Sequence, residues 1–273
     1  MTVRAATTTA SEPGSAHHAD LRSEGAPHFA EKTVLVVGAG GLGCATLAAL
    51  TTASIGHWIL VDEDEVDETN LHRQVLYSDP DVGRPKLEAA RDALVRRGVA
   101  PNRIELRPGR VLPDNARAWF KDVDLVIEGA DNYATKFLVA DACHLERKPV
   151  VHGAAVGWNA TVFLVPANGK PCYRCLFEDL PTQATGNCDS VGVLGPVVGV
   201  AGALMADQAL RCLSGDPVGG VIHTLDGKAG RLRTVDVAAR AECELCGRSP
   251  RVVDTAWERY DALTCTTAVL LVM

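Results

Sequence analysis

Residues 34–43 read Val34-Leu35-Val36-Val37-Gly38-Ala39-Gly40-Gly41-Leu42-Gly43. Four consecutive apolar residues predict a strand covered on both faces, because a half-exposed strand alternates. Glycines follow at once, and an apolar segment from Leu42 to about Ala53 continues at helical length. A strand, a glycine turn and a helix in that order form a phosphate cradle. Glycines let the backbone approach the anion, and the unpaired N–H groups of the helix start face it. The next apolar run, His57 to Asp62, ends on a carboxylate placed to accept from ribose hydroxyls. These residues predict an adenine-nucleotide site built from Gly38, Gly40, Gly41, Gly43 and Asp62. NAD, FAD and ATP all fit such a site.

Outward from this unit, strands and helices alternate. Pro85 opens a helix through about Arg97 with Leu87, Ala90 and Leu94 on one face. Ile104 to Leu106 reads as a short strand and Ala116 to Phe120 as a helix. Leu125 to Ile127 is another buried strand, followed by a helix from Ala134 to about His144 and a strand at Val150-Val151. Alternation of this kind predicts right-handed βαβ units and a Rossmann-like α/β fold, a mostly parallel sheet flanked by helices. After Gly153 the pattern changes. Thr161 to Val165, Val221 to Leu225 and Leu232 to Val237 predict antiparallel strands, with a glycine-rich apolar helix at about Gly195 to Leu213 among them.

Between the second strand and Pro85, residues 63–80 are dense in charge and lack the pattern of a core. They carry Asn70-Leu71-His72-Arg73-Gln74, and Lys86 follows at the next helix start. Asp131-Asn132 ends a later strand. In an open parallel sheet all of these reach the crevice at the carboxyl edge, beside the glycine turn. A triphosphate requires Arg and Lys on its phosphates and a carboxylate for Mg²⁺, so Arg73, Lys86 and Asp131 favour ATP over hydride-transfer cofactors. Taken singly, Lys86 is an ordinary helix residue and Asp131 an ordinary helix cap.

Together, the glycine turn, Val61-Asp62-Glu63-Asp64, Asn70 to Gln74, Gly83-Arg84-Pro85-Lys86 and Asp131-Asn132 resemble the ThiF/MoeB family over roughly residues 32–247. The resemblance implies an adenylyltransferase, a nucleotidyltransferase that activates the C-terminal carboxylate of a ubiquitin-like sulfur-carrier protein ending Gly-Gly. It also implies nucleotide contacts from Gly41, Asp62, Asn70, Arg73, Gln74, Lys86 and Asn132, Mg²⁺ on Asp131, and a homodimer. The carriers of thiamine, molybdopterin and related sulfur pathways share these motifs. The alternatives are an NAD- or FAD-dependent oxidoreductase, or a non-catalytic protein that docks a ubiquitin-like partner. Members of the family usually carry Arg-Tyr-x-Arg-Gln ahead of the first strand, with its arginine reaching the partner subunit's ATP. This chain reads His17-His18-Ala19-Asp20-Leu21-Arg22-Ser23-Glu24 there, and Arg22 is the candidate substitute. A sulfur donor, a cysteine desulfurase or a sulfurtransferase, is expected in trans.

Nine cysteines cannot all pair. Residues 1–30 lack a secretory pattern, which makes a disulfide framework unexpected and a metal or redox site the first reading of close cysteines. Cys172-Tyr-Arg-Cys175 and Cys243-Glu-Leu-Cys246 form two Cys-x-x-Cys pairs, the donor set of a closed tetrahedral Zn²⁺ site. Its role is a staple for the C-terminal lobe. Cys188 lies in the polar segment Thr185-Gly186-Asn187-Cys188-Asp189, where a thiol near an activated carboxylate can form a thioester or acyl disulfide; an idle thiol fits equally. Cys44, Cys143 and Cys212 read as core packing.

The resulting plan is a disordered tail over 1–29, an adenylation domain over 30–247 and a C-terminal tail over 248–273. The domain divides into an ATP-binding half, 30–153, and a carrier-binding, zinc-bearing half, 154–247. A hydrophobic share of 47% and a charged share of 22% fit a folded, cytoplasmic enzyme. A net charge of −7 argues against general nucleic-acid binding. The apolar stretch from Val191 to Ala206 is broken by five glycines and prolines, which argues against a membrane span.

Overall fold

A computed structural model of the chain describes residues 29–180, 192–216 and 219–264. Eight strands form one sheet in the order β3-β2-β1-β4-β5-β6-β7-β8. The first five, β1 (Thr33–Val37), β2 (His57–Asp62), β3 (Ile104–Pro108), β4 (Leu125–Glu128) and β5 (Val150–Val156), pair in parallel. The strands β6 (Asn159–Val165), β7 (Val221–Asp226) and β8 (Arg231–Asp236) continue the same sheet antiparallel. The antiparallel region is therefore an extension of the parallel sheet, sharing β5 with it.

Four residues of β1 serve two cores. Val34 and Val36 pack with α1 (Gly41–Leu50), α2 (Lys86–Arg96) and the long helix near the C-terminus, while Leu35 and Val37 pack on the opposite face. Alternate side chains of a strand point to opposite faces, so a strand roofed by helices on both sides must be apolar throughout. The opposite face carries α3 (Ala116–Phe120), α4 (Tyr133–Leu145) and the short α5 (Tyr173–Leu176).

The long helix, α6 (Gly195–Leu213), matches its sequence reading and buries Val197, Val198, Ala201 and Met205. It crosses α1 so closely that a Cβ on Gly202 would lie 2.4 Å from Ala45 Cβ. Its length and composition also suit a membrane span, yet this packing accounts for its apolar face.

Several expectations shift. α1 stops at Leu50 and not near Ala53, because the chain turns through Ser54 at φ 53° toward β2. β5 runs to Val156 because its C-terminal half pairs with β6. The charged segment 63–80 lends Val66, Leu76 and Tyr77 to the core, all under a tenth exposed. Phe29, at the end of the predicted tail, is 4% exposed, and its carbonyl accepts from Lys32 and Gly56. Past 247 the chain packs onto α4 through Val252 and Tyr260.

Candidate functional site

Strand order fixes where a ligand can sit. From β1 the chain winds one way to β2 and β3, then returns to place β4 on the other side of β1. The loops leaving β1 and β4 therefore diverge and open a crevice. A cavity of about 380 Å³ lies there.

The turn after β1 forms its floor. Gly38 holds φ +89°, and a Cβ on Gly43 would fall 1.9 Å from the Gly38 carbonyl oxygen. Gly43 therefore serves close packing of helix on strand, while Gly38, Gly40 and Gly41 face the cavity. Nothing stands within 4 Å of a Cβ built on Gly40. Gly40 caps α1 without a side chain and the first turn has no acid, which leaves its N–H groups for an anion.

The turn is braced from two sides. Asp62 accepts from the N–H of Ala39 at 2.6 Å and of Asp64 at 2.9 Å. Burial pushes the Asp62 carboxyl above its ordinary value, against the pull of Lys86 and these N–H groups. The Tyr77 hydroxyl donates to the Ala39 carbonyl at 2.8 Å, with the Lys86 carbonyl at 3.3 Å. One phenol thus ties the glycine turn to the start of α2.

Asn70, Arg73, Gln74 and Lys86 all line the cavity. Asp67 caps the turn that presents Asn70, accepting from Thr69 N–H at 2.8 Å. Arg73 lies against Gly41, its Cγ 3.5 Å from a Cβ built there. Lys86 is 6% exposed and extends its ammonium to Asp64 at 2.8 Å. Across the crevice Asp131 is exposed at the rim. Asn132 is its neighbour in sequence only. Its side chain accepts from Thr135 N–H at 2.8 Å as the N-cap of α4, and it lies outside the lining.

Beneath the rim lies a charge cluster that the sequence did not announce. Glu128 is fully buried and accepts from Lys136 Nζ at 3.0 Å, His152 Nδ1 at 3.0 Å and Ala130 N–H at 2.6 Å. Lys136 also donates to the Gly153 carbonyl at 2.6 Å. Burial raises the Glu128 carboxyl, but the Lys136 charge and the His152 contact outweigh it and hold it below the ordinary value. The cluster sets the corner from which Asp131 projects.

The second candidate site is the cysteine cluster. The sulfurs of Cys172, Cys175, Cys243 and Cys246 lie within 4.8 Å of one another, all four residues buried. Neighbouring sulfurs stand at 3.8, 3.5 and 3.3 Å. Thiolates about 2.3 Å from a tetrahedral zinc sit about 3.8 Å apart, so donor set and spacing both fit Zn²⁺. Arg240 N–H points at Cys175 Sγ from 3.4 Å, the outer contact expected of such a site. Nearby, Arg174 grips Asp141 of α4 with two bonds of 2.8 and 2.9 Å, and the Tyr260 hydroxyl completes Asp141 at 2.7 Å. The lobe is thereby bolted to the main fold.

Cys44 and Cys143 are fully buried, and burial pushes the Cys44 thiol up to about 12, which suits core packing. Cys188, Arg22 and the segment His17 to Glu24 lie outside the described residues.

A parallel sheet with a glycine turn at its switch point, joined to an antiparallel extension with a four-cysteine cluster, defines a Rossmann-like α/β protein. Residues 15–245 match the model of the ThiF family, and the chain belongs to that family. It is 36% identical over 258 residues to an adenylyltransferase and sulfurtransferase MOCS3 of Aedes aegypti, covering 90% of this chain and 57% of that protein. The MOCS3 of Culex quinquefasciatus is 35% identical over 241 residues, covering 86% and 54%. The chain thus spans little more than half the length of these relatives. Among solved structures, E. coli MccB with MccA-N7isoASN superposes at a TM-score of 0.70 and 23% identity, over 81% of this chain and 68% of that one. PaaA superposes at 0.61 and 20% identity, over 77% and 65%. Both show the shared fold.

Proposed function

We propose that the chain is a Mg·ATP-dependent adenylyltransferase acting on the C-terminal carboxylate of a ubiquitin-like sulfur-carrier protein ending Gly-Gly. What carries this reading is the meeting of Arg73, Lys86 and Asp131 with the glycine turn around one cavity. Two cations, a carboxylate and unpaired helix N–H groups suit a triphosphate better than a dinucleotide.

The carrier carboxylate attacks the α-phosphorus and displaces pyrophosphate. It is ionised at neutral pH, so the step needs no protein base. The chain's work is alignment and charge neutralisation. Arg73 and Lys86 take the phosphates, and the α1 N-terminus cradles them. Asp62 steadies the turn and accepts from the ribose. Asp131 would hold Mg²⁺, which supplies further charge neutralisation on the phosphates. Zn²⁺ on the four cysteines is structural. A persulfide on a separate cysteine desulfurase or sulfurtransferase then displaces AMP to give an acyl disulfide. A second thiol, with Cys188 as the candidate, attacks its donor-side sulfur, releasing the thiocarboxylate and leaving a disulfide with the donor cysteine. A cytoplasmic homodimer is the working form.

ATP–pyrophosphate exchange with a panel of carrier proteins tests the reading. Carrier-dependent exchange is expected. ATP binding without exchange for any carrier would sink it in favour of a non-catalytic docking protein.

A further inference from the structure

A recess adjoins the nucleotide cavity. It measures about 20 Å³, is walled by Phe163, Tyr173, Phe177 and Ile222, and has His152 and Thr161 among its lining residues. Tyr133, Lys136 and Ala154 line both spaces, so the two lie side by side. The volume suits one small group such as a water, a hydroxyl or an N–H.

His152 decides which. Its side chain is 3% exposed, with Nδ1 3.0 Å from Glu128 Oε2. Glu128 is ionised and can only accept, so Nδ1 carries the proton and donates. The other ring nitrogen, Nε2, is then a bare lone pair. It is buried, and among the described residues no group donates to it. The Tyr173 ring, 4.5 Å away between centroids, fixes the tilt of the imidazole. The recess therefore calls for a hydrogen-bond donor. A buried water asks for two to four polar partners, whereas the walls here are mostly aromatic and aliphatic. A donor anchored elsewhere needs only the one acceptor.

We propose that the recess is a subsite for a backbone N–H at the carboxyl end of the acyl substrate, with His152 Nε2 as the acceptor. The proposal rests on the adenylation reading, which brings a carboxylate-ended chain into the adjoining cavity. An amide N–H flanked by methylenes matches both the single acceptor and the aromatic walls.

Nitrogen NMR on the full chain with labelled histidine tests it directly. The probes are a synthetic octapeptide ending Gly-Gly with a free carboxylate, and the same peptide ending in N-methylglycine, each added with a non-hydrolysable ATP analogue. The His152 Nε2 resonance is expected to move with the first peptide and not with the second. In exchange assays His152→Phe should raise the carrier KM about tenfold, the scale of one lost buried hydrogen bond, with the ATP KM unchanged. His152→Gln, which restores an acceptor, should recover part of the loss. No movement with the Gly-Gly peptide, or equal movement with both, overturns the proposal and leaves a water site only. Exchange by the unaltered chain reports separately on the adenylation reading.

Discussion

Lys86 and Asp64 form a one-sided ion pair: the ammonium stands 2.8 Å from Asp64 Oδ2, with the lysine side chain 8% exposed and the aspartate 61%. The cation is the fixed member and the carboxylate the movable one. Burial positions the charge at the cavity, where Asp64 satisfies it, and in the proposed reaction the phosphates would take over that contact. Lys86→Ala is expected to lower pyrophosphate exchange by about a hundredfold or more, as other removed electrostatic donors do. Asp64→Asn should cost far less. Equal losses in the two variants would show that the pair, and not the lysine, is what matters.

Tyr77→Phe removes the only hydroxyl linking the Ala39 and Lys86 carbonyls among the described residues. Stability should fall by about 1–2 kcal/mol in urea, the scale of a buried hydrogen bond. ATP affinity should fall with it, because the glycine turn loses a brace. An unchanged midpoint would mean that Asp62 holds the turn alone.

Glu128→Gln leaves Lys136 with an uncompensated buried charge. Removing one member of a buried pair costs about 3–5 kcal/mol, and this variant is expected to lie near that range. Glu128→Gln combined with Lys136→Met should regain much of the loss in a denaturant titration. A double variant no more stable than the single one would disprove the coupling.

Acid sensitivity should begin above the carboxylate range. Burial holds the His152 imidazole below its ordinary value, and His144 and His223 are lowered for the same reason. In that window the unfolded chain binds more protons than the folded one, so stability is complete above the unfolded histidine pKa of about 6.5 and is lost as pH falls through the folded values. The urea midpoint should drop between pH 7.5 and 5.5, and less steeply in His152→Gln. An identical slope in the variant would remove His152 from the account.

One zinc per chain is expected by elemental analysis. Chelation or Cys243→Ser should lower the melting temperature and loosen Tyr173, which sits between two of the ligands. Full stability after the metal has been stripped would contradict a stapling role.

Much of this was legible in the sequence because local patterns carried it. β1, β2 and α6 follow from apolar runs and their punctuation, and the glycine turn from its place between strand and helix. The four cysteines declare themselves by spacing. The Glu128, Lys136 and His152 cluster did not, since a lysine inside a helix and a histidine inside a strand have no local mark; only the sheet brings them together. Charge in residues 63–80 masked Val66, Leu76 and Tyr77, whose burial depends on α1 and α2 lying alongside. Asn132 and Asp131 looked alike on paper, and the helix start separated them by spending one side chain on Thr135.

The cysteine cluster has a bearing on proteolysis. Its two halves, at Cys172 and Cys175 and at Cys243 and Cys246, bracket residues 176–242, which include α6, β7 and β8. With zinc bound, the metal closes that length of chain into a ring. A single cut inside the ring, for instance at the exposed Gly215 after α6, leaves both fragments fastened to one ion. Unfolded in urea with the metal retained, nicked protein should therefore migrate as one species until a chelator opens the clasp, whereas a cut outside the ring, near residue 255, should release its C-terminal piece on unfolding alone.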